Sequence, residues 1–117
     1  MTTSIAGAFI PVVDPASAAS WYATHLALEV VDVTEWSAVL SGRDGARLTL
    51  MGPSSGIAAQ PGLEWASCSF RVADLGLQRD RLAGGGLEVG PVEGDPEVCL
   101  FFTTRDPDGN ILLVTDR

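Results

Sequence analysis

Val12-Val13-Asp14 and Val72-Ala73-Asp74 each close an apolar run with an aspartate and then give way to a helical pattern. An aspartate at such a junction caps the first helical amides, and Pro15 after Asp14 suits the first helical position. The first helix pattern runs from Ala16 to Leu26, alanine-rich, with Trp21, Tyr22 and Leu26 at helical spacing. Three strand-like runs follow, Leu28 to Val33, Trp36 to Leu40 and Arg47 to Met51, with Ser41-Gly42-Arg43-Asp44-Gly45 as a hairpin turn. The second half repeats the order. Trp65 to Ala73 reads as a strand, Asp74 as a cap, and Leu75 to Ala83 as a helix stopped by Gly84-Gly85-Gly86. Strand-like runs at Leu87 to Val92, Glu97 to Thr104 and Asn110 to Thr115 complete it.

The plan is therefore βαβββ, twice. One helix can cover only one face of each sheet, so the opposite face must be covered otherwise or line a cavity. The expected fold class is α+β, with two tandem βαβββ modules building a cup-shaped mixed sheet and the helices on its outer face. Module 1 spans about 4–52, a linker rich in Gly, Pro, Ser and Ala spans 53–63, and module 2 spans about 64–117. Together they make a single domain, 1–117, long enough to bury a modest core.

Charge narrows the partners. Fifteen acidic residues face seven basic ones, a net charge of −8, and a field of that sign repels phosphate backbones and anionic lipid. The expectation is no nucleic acid and no membrane. No apolar run approaches the roughly 20 residues of a membrane span. Met1 to Ile5 carries no basic cluster of the signal-peptide kind, which points to the cytoplasm. Cys68 and Cys99 sit in apolar runs with no Cys-x-x-Cys spacing and no histidine nearby, so they read as buried thiols rather than zinc ligands. The single histidine, His25, falls near the end of the first helix, where its charge would suit the helix terminus.

These residues together resemble the vicinal-oxygen-chelate superfamily, the glyoxalase and bleomycin-resistance group. Val12-Val13-Asp14 followed by Trp21-Tyr22 is similar to its "V-x-D … F-Y" opening, and His25-Leu26-Ala27-Leu28 stands where the family has "x-L-G-F". Val72-Ala73-Asp74-Leu75 resembles the second-module opening. Asp106-Pro107-Asp108-Gly109-Asn110 matches the family's "D-P-D-G-N" turn as it stands. Pro presets such a turn, and Gly and Asn accept the left-handed backbone, so the motif reads as a fold marker.

The resemblance also implies where a divalent metal would be held, from the first and last strands of each module. Counting seven residues back from Asp14 and Asp74 gives Gly7 and Ser67, and the last-strand positions fall at Thr49 and Leu113. Gly and Leu side chains offer no donor and neutral hydroxyls are poor ones, so no metal and no cofactor are expected. Strand alternation then sorts the faces. Phe9, Met51, Trp65, Ile111 and Leu113 would line the cup, with Arg47, Thr49, Ser67, Ser69 and Arg71 as polar points and Trp36 as a second aromatic wall. An apolar cleft with a few convergent polar groups is the usual form of a small-molecule site. The resemblance to metal-free, antibiotic-binding members implies a homodimer that sequesters an aromatic or cationic compound. An alternative is an enzyme of the same superfamily, a lyase, isomerase or dioxygenase with atypical site residues. A third is a degenerate domain whose cup is filled.

Overall fold

The computed structural model describes all residues, 1–117. It divides into two compact units, Met1–Pro61 and Gly62–Arg117.

The first unit contains β1 (Gly7–Pro11), α1 (Pro15–Leu26), β2 (Glu29–Val33), β3 (Ser37–Ser41) and β4 (Arg47–Met51). Its sheet order is β1-β4-β3-β2, with β1 parallel to β4 and the other pairs antiparallel. The order follows from the connections. A helix must intervene before β1 meets a parallel partner, whereas the turn at Gly42–Gly45 joins β3 and β4 directly. The Asp14 carboxylate accepts from the Ala16 N–H at 3.1 Å and from the Ser17 hydroxyl at 2.8 Å, capping α1. The helix ends on Ala27, which takes the left-handed conformation at φ 55°. Ile10, Ala38, Leu40, Leu48 and Leu50 alternate onto one sheet face, which α1 covers with Ala18, Ala19 and Tyr22, and all eight are buried.

The second unit contains β5 (Ser69–Arg71), α2 (Leu75–Gly84), β6 (Glu93–Asp95), β7 (Cys99–Arg105) and β8 (Ile111–Thr115), in the equivalent order β5-β8-β7-β6. Asp74 caps α2 through the Leu77 N–H at 3.1 Å. Leu75, Leu82, Phe102 and Val114 cluster in its core, flanked by Val72, Leu87, Val89 and Leu100, and Leu112 of β8 is fully buried as well.

Two strands differ from the sequence reading. The run Leu87 to Val92 keeps one isolated bridge, Val89 to Thr104, and the strand proper forms later at Glu93–Asp95. Leu87 and Val89 are drawn into the core beside α2, and Pro91 has no N–H to continue a ladder. The run Trp65 to Ala73 shrinks to Ser69–Arg71. Its cause lies in the pairing to β8. The Ile111 N–H donates to the Leu63 carbonyl at 2.9 Å, and the Leu113 N–H reaches the Cys68 carbonyl at 3.5 Å. Two steps along β8 thus meet five along the incoming chain, and Glu64 to Ser67 leave the sheet. The first unit has no such excursion, because Gly7 through Pro11 pair in step with Arg47 through Met51.

The cysteines also depart from expectation. Both thiols are free and only half-buried. Cys68 sits where β5 begins, and its partial burial pushes its thiol pKa up by desolvation.

Candidate functional site

Cross-strand partners share a sheet face, so the register fixes which side chains stand together. On the face of the first unit away from α1, one row runs Phe9, Thr49, Val39 and Asp32. The next runs Gly7, Arg47, Ser41 and Glu29, and Met51 stands beside Ser37 in a third. On that face Phe9 is 64% exposed and Arg47 is exposed, while Val39, Thr49 and Met51 are half-buried. Phe9, Arg47, Thr49 and Met51 are thus brought to one surface. Trp36 is not on a strand. It precedes β3, with its N–H donating to the Thr34 hydroxyl at 3.3 Å and its carbonyl accepting from the Gly52 N–H at 2.9 Å.

The second unit has the matching face. Leu113 stands between Ser69 and Thr103, Thr115 between Arg71 and Phe101, and Ile111 beside Arg105. Trp65 and Ser67, assigned to the same face on the premise of a continuous strand, instead lie in the excursion before β5, and the Trp65 side chain is 81% exposed. A cavity of about 150 Å³ opens at the Ile111 end, lined by Glu88, Val89, Gly90, Thr103, Arg105 and Ile111 among others. Sequence reasoning named only Ile111 of these. Alternation along Cys99 to Arg105 was enough to put Phe101, Thr103 and Arg105 on this face. Glu88 to Gly90 carried no such signal, because they form no strand. The Arg105 guanidinium donates to the Gly109 carbonyl at 2.9 Å, and Thr104 turns its hydroxyl to the Glu88 carbonyl at 2.7 Å, tying the cavity walls together.

Gly7 lies opposite Arg47, and a Cβ added to it would meet the Arg47 carbonyl oxygen at 2.6 Å, so even the first atom of a ligating side chain requires the strand pair to move. Leu113 stands against Ser69, an alkyl group beside a hydroxyl. Nowhere do three His, Cys, Asp or Glu side chains gather as a ligand set. Divalent transition metals need imidazole, carboxylate or thiolate donors, and Gly7, Thr49, Ser67 and Leu113 supply none. The donor set does not fit such an ion.

The model for the Glyoxalase/Bleomycin resistance protein/Dioxygenase superfamily matches residues 4–114. No curated protein sequence matches the chain. Among solved structures, the chain is similar to the bleomycin resistance determinant encoded on the transposon Tn5, at 21% identity over 98% of each chain and a TM-score of 0.74. It is similar to a superfamily member from Sphaerobacter thermophilus, at 21% identity over 97% of each chain and a TM-score of 0.81. It is also similar to lactoylglutathione lyase from Agrobacterium tumefaciens, at 19% identity over 97% of this chain and 93% of that one, with a TM-score of 0.75. At these identities the likenesses describe the fold.

Proposed function

This chain belongs to the Glyoxalase/Bleomycin resistance protein/Dioxygenase superfamily, and from that membership we propose that it binds a small organic molecule without a metal. The observation that carries the proposal is the chemistry at the family's ligand positions: Gly7, Thr49, Ser67 and Leu113 offer no adequate donor, and Gly7 has no room for one. What the sheets do offer is apolar and aromatic surface edged by cationic and hydroxyl groups. Phe9 and Met51 stand with Arg47 and Thr49, and Ile111 and Leu113 with Arg71 and Ser69. The aromatic and apolar surface suits a flat aromatic compound, and the net charge of −8 favours one that is cationic. The Tn5 protein is a bleomycin resistance determinant, which makes bleomycin the first probe. We further propose that the protein acts as a homodimer, since both sheets end in edge strands that invite a partner chain.

Native mass spectrometry tests this directly. The protein is sprayed as purified, after incubation with zinc, nickel and ferrous iron, and after incubation with bleomycin. The expected result is a dimer without stoichiometric metal that retains the organic probe. One metal per chain, lost together with activity on chelation, would overturn the reading and make the chain an enzyme with atypical ligands.

A further inference from the structure

The turn from Asp106 to Asn110 does more than reverse the chain. Gly109 takes the left-handed conformation at φ 82°, but Asn110 does not, so asparagine is not needed there for its backbone. Asn110 is 1% exposed, and its side chain is fully engaged. The carboxamide oxygen accepts from the Gly62 N–H at 2.9 Å and the Leu63 N–H at 2.8 Å, which uses both of its lone pairs. The carboxamide nitrogen donates to Asp106 Oδ2 at 2.8 Å. Asp106, itself buried, accepts at Oδ1 from the N–H groups of Asp108 and Asn110, each at 2.9 Å. A buried network with its members satisfied is rigid, and removing one member leaves costly unpaired groups.

This network fixes one root of the excursion that carries Trp65. Leu63 is held on both sides, its N–H by Asn110 and its carbonyl by the Ile111 N–H. The other root is the Cys68 carbonyl on Leu113. Between them Glu64, Trp65, Ala66 and Ser67 make no hydrogen bonds of their own. The placement of the indole therefore depends on its roots.

We propose that Asn110 is a positioning residue for ligand contact: by clamping Gly62 and Leu63 it presents Trp65 as the aromatic surface on which a planar or cationic molecule stacks. The proposal rests on the binding reading above for the ligand, but not for the clamp. An indole held out of the sheet gives a large contact face at little entropic cost when its root is already ordered.

The test uses the full chain and separates the two. In the wild-type protein, hydrogen exchange at the Gly62 and Leu63 amides is expected to be slowed alongside Ile111. In Asn110→Ala, protection at Gly62 and Leu63 is expected to fall about tenfold or more, while Leu48 and Leu50 keep theirs. With Trp65 as the sole tryptophan (Trp21→Phe, Trp36→Phe), its fluorescence anisotropy is expected to decay faster once Asn110 is lost. Bleomycin binding, read by Trp65 quenching, is expected to weaken roughly tenfold. Free-rate exchange at Gly62 and Leu63 in the wild type would overturn the clamp, whether or not the variant folds. So would Asn110→Ala with unchanged protection and anisotropy, or with protection lost equally at Leu48 and Leu50. Bleomycin failing to bind the wild type would instead overturn the binding reading, and the exchange and anisotropy results would still decide the clamp.

Discussion

In the first unit, β1 keeps step with β4 from Gly7 to Pro11, and the covered face is packed by eight buried side chains. In the second, β5 holds β8 only from Ser69 to Arg71, β6 is three residues long, and five buried apolar residues carry the core. The same plan is thus executed once with continuous ladders and once with interruptions. The comparison teaches where exposed chemistry comes from. Continuous pairing leaves Phe9 and Arg47 as members of a regular face, whereas interruption releases Trp65 from the sheet and opens the cavity beside Ile111 and Arg105.

The largest expected effect would break the comparison at its cores. Phe102→Ala is expected to cost about 3–5 kcal/mol and Leu50→Ala about 2–5 kcal/mol, because each deletes fully buried volume. Urea denaturation gives the totals. Residue-resolved hydrogen exchange is expected to show Phe102→Ala releasing the amides of β7 and β8 before those of β3 and β4. Equal release in both units would mean that the two plans do not differ in local stability.

The helix caps sharpen the likeness. Asp14→Ala and Asp74→Ala are each expected to lose about 1 kcal/mol, since each carboxylate satisfies a first-turn amide. Asp14 has the added Ser17 hydroxyl, so its loss is expected to be the larger of the two in paired denaturation curves.

A smaller effect separates the helix ends. Ala27 ends α1 at φ 55°, where an L side chain is strained, while α2 runs into Gly85 and Gly86. Ala27→Gly is expected to gain roughly 0.5–1 kcal/mol, the relief of strain exceeding the entropy added to the unfolded chain. A thermal melt that falls instead of rising would refute it.

The smallest effect is in the pH profile of the second unit. Burial raises the Cys68 pKa, so the fold favours the neutral thiol. Its contribution to stability is complete below the ordinary thiol pKa of about 8.5 and is lost as pH rises through the raised value in the fold. Denaturation curves from pH 8 to 10.5 are expected to fall less steeply for Cys68→Ala than for the wild type.

Much of this was legible without coordinates. The aspartate before each helix, the glycines after the second and strand alternation named the elements, the face of the first unit on which Phe9 and Thr49 stand and the face of the second on which Ser69 and Leu113 stand. Trp65 and Ser67 were misplaced because 65–73 carries no Gly or Pro to break a strand, and nothing local shows that three residues too many must fit against β8. Asn110 was misread for a related reason. Its residue type is at home in a left-handed turn, and only its partners 48 and 47 residues earlier show that the side chain is the point.

What the sequence by itself determined is the periodic and the local: strand alternation, helix caps, turn chemistry, the absence of metal-ligating side chains at the family positions, and the acidic charge. These depend on neighbours a few residues away, and so they can be read in order along the chain. Tertiary structure alone decided the register of β5 on β8, the excursion that exposes Trp65, the clamp made by Asn110 and the walls of the cavity. Each of those is a hydrogen bond or contact between residues distant in sequence, and its energy exists only once the chain has closed the loop that brings them together.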